Sequence, residues 1–218
     1  MKLFFQIIFK MFLILTILIG CANSEEKKET DPDALLNKGI AFSKKGQYDQ
    51  AIVYYSKAIE INPRYAVAYY NRGYAYTKKG QYDKAISDFS KTIEIEPMFP
   101  DAYSYRGYAY AEKGQYDKAF PDYTKAIEIN PRDADAYNLR GYAYAYYQEQ
   151  YDKAIFDCNK AIEINPKFAG AYINRGLFYF FKREYEKAWD DVHKLEGLGQ
   201  QANPKFLKML REASGRDK

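Results

Sequence analysis

Residues 66–99 read AVAYYNRGYAYTKKGQYDKAISDFSKTIEIEPMF, and residues 100–133 follow without a break as PDAYSYRGYAYAEKGQYDKAFPDYTKAIEINPRD. Laid one over the other, Gly73 falls on Gly107, Ala85 on Ala119 and Pro97 on Pro131. Toward the N-terminus Gly39, Ala51 and Pro63 keep this phase. Toward the C-terminus Gly141, Ala154 and Pro166 keep it, and then Gly176 and Ala188, with one extra residue between Gly141 and Ala154. Five units result, 32–65, 66–99, 100–133, 134–168 and 169–202, with a period of 34. A fixed period of this length marks stacked supersecondary units rather than one globular core.

Each unit reads as two helices. Tyr69, Gly73, Tyr76 and Tyr82, then Ala85, Phe89 and Ile93, lie mostly three and four apart, the spacing of a helical face. Gly46, Gly80 and Gly114 offer the left-handed residue that ends a first helix. Asn62-Pro63 and Asn130-Pro131 end a second one, because the residue before proline avoids the helical region. Asp31-Pro32 supplies a cap and a proline at the first helical position. Small residues at Gly39 and Ala51 and their equivalents let the paired helices approach. Large rings at the fourth, eleventh, seventeenth and twenty-fourth places are expected to fill the space between them.

The pattern Tyr69-x2-Arg72-Gly73-x2-Tyr76, then Ala85-x3-Phe89, then Pro97, resembles the tetratricopeptide repeat family, and the resemblance covers all but the chain's ends. It implies an all-α, right-handed solenoid of five helix-turn-helix units, closed by a C-terminal capping helix in 203–218. It also implies a concave groove lined by the first helix of each pair and a protein or peptide partner, without enzymatic activity. Mapped onto this chain, the groove would present Asn37, Tyr70, Asn71, Tyr74, Tyr105, Tyr108, Asn138, Tyr142 and Asn174. Rings give contact area at low entropic cost, and amides can bond a peptide backbone. The asparagines have a plainer reading too, as residues that position their own helix. The carboxylate clamp of chaperone-binding relatives is absent: its places hold Leu36, Ile40, Asn71, Asp101 and Tyr105, of which only Asn71 fits.

Three departures from the family pattern stand out, and two features lie at the C-terminal end. Repeats two to five carry Arg72, Arg106, Arg140 and Arg175 before the glycine, with Asp88, Asp122, Asp157 and Asp191 in the second helix. Repeat one has Lys38 and Tyr54 instead. Joint presence and joint absence predict an ion pair between the two helices. Pro121 predicts a kink or late start of its helix. Repeat four replaces the Lys-Gly turn with Ala145-Tyr146-Tyr147-Gln148-Glu149-Gln150, read as a longer loop. Beyond repeat five, Phe206, Leu207 and Leu210 form a stripe expected to cover Trp189 and Leu195. Phe178, Phe180 and Phe181 mark an aromatic end that a second copy of the chain could meet.

Residues 1–20, MKLFFQIIFKMFLILTILIG, read as a secretory signal, positive at the start and apolar from Met11 to Ile19. Leu18-Ile19-Gly20-Cys21 resembles the bacterial lipobox, which implies lipidation of Cys21, removal of 1–20 and a polar tether over 21–31. The chain would then face the cell envelope on a lipid anchor, at the outer membrane in a Gram-negative organism. An uncleaved anchor or a secreted protein are the alternatives. Lys and Arg number 33 against 29 Asp and Glu, and Lys2 and Lys10 lie in the segment expected to be lost. So balanced a chain is no polyanion surface, and nucleic acid is not an expected partner. One His and two Cys exclude most zinc sites and any disulfide framework. His193 reads as a surface residue and Cys158 as a small core residue. No phosphate-binding, nucleophile-elbow or metalloprotease motif occurs, so no cofactor, metal or catalytic residue is expected. Two further readings keep the same residues: a glycan-binding module stacking sugars on the tyrosines, and a self-assembling structural lipoprotein.

Overall fold

The computed structural model describes residues 31–216. The residues expected to form the signal, Cys21 and the rest of the expected tether up to Thr30 lie outside them. Among the described residues there are eleven helices and no strand: α1 Pro32–Lys44, α2 Tyr48–Ile61, α3 Ala66–Lys78, α4 Tyr82–Ile95, α5 Pro100–Glu112, α6 Tyr116–Ile129, α7 Ala134–Gln148, α8 Tyr151–Ile164, α9 Ala169–Phe181, α10 Tyr185–Gly197 and α11 Pro204–Ser214. They form two compact units, the first ending at Ile95 and the second beginning at Glu96.

In the first unit α1 packs on α2 and α3 on α4, and α2 packs on α3. The turn inside each pair is tight because one residue serves both helices. The Gln47 amide donates to Phe42 O at 3.0 Å and the Gly46 amide to Ser43 O at 2.9 Å, which closes α1. Gln47 O in turn accepts from the Ala51 amide and opens α2. This crossed pair of bonds needs a left-handed residue, and Gly46 and Gly80 take it at φ of 73° and 68°. Between pairs the chain leaves the helix at Asn62, whose side chain accepts from the Arg64 amide at 3.1 Å. The glycines in mid-helix have a separate cause. A methyl on Gly39 would meet the Tyr55 ring at 2.4 Å, and one on Gly73 would meet Phe89 at 2.9 Å.

In the second unit α5 packs on α6, α7 on α8 and α9 on α10, with α6 against α7, α8 against α9 and α11 against α10. The capping helix behaves as expected. Phe206, Leu207 and Leu210 of α11 close over Trp189, Val192 and Leu195, and the Trp189 indole donates to Ser214 Oγ at 3.1 Å. That cover also changes the aromatic end. Phe180 packs edge-on against Phe206, and Phe178 is fully buried separately, against Ala145, Ile155 and Cys158, so of the three rings only Phe181 stays exposed.

Two other expectations are corrected. α6 starts at Tyr116 and runs unbroken through Pro121, so there is no late start. Its first turn shares an acceptor, the Gln115 carbonyl taking both Lys118 and Ala119 amides, as the Tyr65 carbonyl takes Ala68 and Tyr69 at the start of the proline-free α3. In repeat four the extra residue lengthens the helix and not the loop. α7 has 15 residues, Glu149 adopts the left-handed conformation in place of glycine, and the Gln150 amide reaches back to Tyr144 O. Arg183 takes the same strained role before α10.

The ring places are also less uniform than the pattern suggested. The twenty-fourth place is sealed, by Tyr55, Phe89, Tyr123, Cys158 and Val192 in turn. Rings at the other three places are mostly half-buried. Cations cover several of them: Arg72 lies over Tyr69, Lys84 over Tyr76, Arg106 over Tyr103 and Lys118 over Tyr110. An amphipathic ring under a long cationic stem suits such a seam, since stem and ring shield each other while both polar tips stay wet.

The expected ion pairs are present in all four repeats, and each is bidentate. Arg72 Nε and Nη2 donate to Asp88 at 2.8 Å each, and Arg106 does the same to Asp122 at 2.8 and 2.7 Å. Arg140 reaches Asp157 at 2.8 and 2.9 Å, and Arg175 reaches Asp191 at 3.0 and 2.5 Å. The third guanidinium nitrogen extends to the preceding repeat, from Arg72 to Ser56 and from Arg175 to Asn159. Hydrogen bonding to Asp88 makes Arg72 hold its proton more tightly, while burial pushes the Asp88 carboxyl up against the pull of Arg72. Repeat one fills the same seam with a stack: Tyr54 lies 5.3 Å from Phe42, with Lys38 over its ring.

Candidate interaction surface

The first helices touch one another within each unit, α1 with α3, and α5 with α7 with α9. Their shared faces carry the residues singled out above. In the first unit Asn37 is exposed and Tyr70 leans on Phe89 at 5.9 Å. Lys78 lies 5.1 Å over the Tyr74 ring. Asn71 donates to Val67 O of its own helix at 2.7 Å, which is the positioning role rather than a free recognition group.

The second unit has more to offer. On α5, Asp101, Ser104, Tyr108 and Glu112 follow at intervals of three, four and four, one stripe of a helix. On α7 the stripe is Asp135, Asn138, Tyr142 and Tyr146, and on α9 it is Gly170, Ile173, Leu177 and Phe181. Asn174 donates to Asn138 Oδ1 at 2.9 Å and ties α9 to α7. Tyr142 and Tyr146 stack at 4.3 Å, and Tyr147 stands edge-on to Tyr142 at 6.4 Å while stacking on Tyr116 at 3.8 Å. Burial, then Tyr146, then Glu112 push the Tyr142 phenol up to about 12, so it keeps its proton and can donate. Burial and Glu112 raise Tyr147 as well. Tyr105 and Tyr108 are half-buried on α5.

Beside this face, α9, α10 and α11 enclose a cavity of about 380 Å³, lined by Tyr146, Ile173, Leu177, Leu195, Phe206 and Met209 among others, with Lys205 the only Lys or Arg in its lining. Tyr146, 52 % exposed, belongs both to the ring stack and to the cavity wall. The nine residues proposed from sequence therefore divide: Asn37, Tyr70, Asn71 and Tyr74 lie in the first unit, and Tyr105, Tyr108, Asn138, Tyr142 and Asn174 in the second. Sequence reading omitted Tyr146, Tyr147 and Glu112 from the candidate site, although Glu112 and Tyr146 occupy its thirteenth place. It had no signal for the cavity, because one wall is the capping helix.

Elsewhere, chemistry is sparse. Among the described residues no group of three or more His, Cys, Asp or Glu is placed to hold a metal ion. His193 is exposed and stacks on Trp189. Cys158 is fully buried, and burial pushes its thiol up to about 12, far from a nucleophile's range. No helix of the described residues is long and apolar enough to cross a membrane.

Models of the TPR repeat match residues 39–80 and 73–114, and models of the tetratricopeptide repeat match 100–133, 122–156 and 158–190. The chain belongs to the tetratricopeptide repeat family. Solved structures of similar fold include MamA, at 28 % identity, TM-score 0.62, over 78 % of this chain and 96 % of that one. YrrB, described as a TPR protein with an unusual peptide-binding site, is similar at 24 % identity and TM-score 0.62, over 89 % and 97 % of the two chains. PilF of Pseudomonas aeruginosa shares the fold at 18 % identity and TM-score 0.74, over 87 % and 86 %. No curated protein sequence matches. As a tetratricopeptide repeat protein the chain has the architecture of a protein–protein interaction scaffold.

Proposed function

We propose that this tetratricopeptide repeat protein is a lipid-anchored adaptor of the bacterial envelope, which holds an extended segment of a protein partner on the α5–α7–α9 face. The observation that carries the reading is the Tyr142–Tyr146 stack beside the Asn138–Asn174 bond and the adjoining cavity. Exposed ring, amide and apolar hollow together are the ingredients of a peptide hot spot. The anchor rests on the sequence Leu18-Ile19-Gly20-Cys21 alone. Affinity capture from membranes, with the intact protein and with Tyr108→Ala/Tyr142→Ala/Tyr146→Ala, tests the adaptor. A partner lost only in the triple variant, with helical circular dichroism unchanged, supports the face. A partner retained by that variant moves the site elsewhere, and a soluble-sugar ligand displaced by the same substitutions would favour glycan binding instead. For the anchor, mass spectrometry of the N-terminal peptide should find a diacylglyceryl group on Cys21. An unmodified Cys21 in the membrane-extracted protein refutes it.

A further inference from the structure

The cavity beside the capping helix has a lopsided lining. Its body is hydrocarbon and ring: Ile173 and Leu177 from α9, Val192 and Leu195 from α10, Phe206 and Met209 from α11. Tyr146, Ile173 and Met209 are half of the large hydrophobic side chains that the second unit leaves exposed among its described residues, and all three line this one hollow. At about 380 Å³ it has the size of a site for a small ligand. The polar side chains of the lining are mostly engaged. Asp191 has both oxygens on Arg175, the Tyr172 hydroxyl donates to Pro166 O at 3.2 Å, and the Tyr146 hydroxyl is hydrogen-bonded to Tyr142. Asn203 Oδ1 accepts from the Lys205 amide at 2.8 Å. What stays without a partner, among the described residues, is a pair of donors: the Lys205 ammonium and the Asn203 carboxamide nitrogen. Both residues are exposed, so these donors stand at the mouth.

We propose that this cavity is a binding site for a free medium-chain carboxylic acid, its alkyl chain among α9, α10 and α11 and its carboxylate at the mouth on Lys205 and Asn203. The proposal goes beyond the adaptor reading and stands without it, because it uses nothing of α5 and only Tyr146 of α7. Charge complementarity chooses the head group. The charge of Asp191 is cancelled by Arg175, that of Lys205 is not, and a set of donors suits a group that only accepts. The lining chooses the tail: an alkyl chain gains by leaving water, and it displaces water that apolar walls hold poorly. An amine would meet Lys205 as a like charge, and an alcohol would leave that charge unused.

The probes are decanoate, decanol and decylamine, titrated calorimetrically into the full-length protein in lipid nanodiscs, with empty nanodiscs subtracted. Decanoate should bind about fivefold more tightly than decanol, the advantage of one exposed ion pair, and added salt should shrink that step. Decylamine should bind most weakly. Lys205→Gln should bring decanoate down to the decanol level and leave decanol unchanged. Leu177→Trp, which fills the cavity, should abolish both, with helical circular dichroism checking that the fold survives. Ile173→Glu, at an exposed position that folding tolerates, should weaken decanoate more than decanol. Decanol binding as tightly as decanoate, with both lost in Leu177→Trp, would refute the acid and leave an apolar site. Decanoate binding that neither Leu177→Trp nor Ile173→Glu alters lies elsewhere and overturns the proposal, as does the absence of binding by any probe. A peptide with a free C-terminal leucine that displaces decanoate at lower concentration, while its amidated form does not, would assign the cavity to a chain terminus instead. None of these outcomes depends on capturing a protein partner, so the adaptor reading stands or falls separately.

Discussion

The pair in repeat four makes an asymmetric prediction. Asp157 is 1 % exposed at its side chain and Arg140 16 %. Asp157 receives both its charge-assisted bonds, at 2.8 and 2.9 Å, from Arg140. Arg140 has other company: Thr124 Oγ1 at 3.5 Å and the rings of Tyr137 and Tyr144 at 5.7 and 6.0 Å. Arg140→Met should therefore strand a buried carboxylate and cost about 3–5 kcal/mol. Asp157→Ala leaves a cation that still has water and two ring faces, and should cost about 2 kcal/mol. The double variant should cost less than the sum by about 2–3 kcal/mol, because neither charge is left alone. Urea unfolding followed by helical circular dichroism gives the midpoint shifts. The single Trp, Trp189 in α10, reports whether the loss spreads to the next pair. Equal single costs that add to within about 0.5 kcal/mol in the double variant would refute the reasoning, since the two groups would then be stabilised independently.

Three further outcomes follow from the geometry. Gly39→Ala should destabilise by about 1–3 kcal/mol, because the new methyl meets the buried Tyr55 ring at 2.4 Å, whereas Gly176→Ala, facing Asp191 Cβ at 3.3 Å, should be far milder in the same urea assay. Arg183→Gly should raise stability by about 1 kcal/mol, since Arg183 sits at φ 61° where glycine carries no side-chain penalty; an unchanged or lower thermal midpoint would contradict this. Asp101 and Asp135 have folded-state values raised above the ordinary 3.8. Just above that value the folded chain holds more protons than the unfolded one, so their contribution to stability falls as pH rises through this window. Asp101→Asn/Asp135→Asn should remove that component of the urea midpoint's slope against pH, and an identical slope would show that the cluster does not carry it.

Fold was legible to the extent that it is local and repeated. A glycine at φ 73° and an Asn-Pro stop announce themselves in one copy, and the other copies check them. The Arg–Asp pairs were legible because repeat one lacks both members, which isolates the correlation. What failed was single-copy inference. Pro121 sits early in α6, where it forgoes only its own bond to the Asp117 carbonyl, and the helix continues. The extra residue of repeat four could be housed in helix or loop, and nothing in composition chooses between them. The face was half legible. Its places on the first helices could be counted, but the cavity depends on where α11 lands, and the stacking of Tyr142 on Tyr146 depends on rotamers. Asn71 shows the plainer of its two readings at work, its amide bonded to the Val67 carbonyl of its own helix.

The split of each ion pair across the two halves of a repeat has a consequence for the gene. A cut between repeats leaves every Arg with its own Asp, whereas a cut at the turn parts them. Exchange of half a repeat with the first copy would set Arg72 or Arg106 against Tyr54, or Lys38 against Asp88, and break the match of seam to seam. Recombination within the coding sequence is thus filtered by burial. A whole copy from two to four carries its pairing along, the fifth is bound to its cover by Trp189 and Leu195, and the first copy matches none of them by halves.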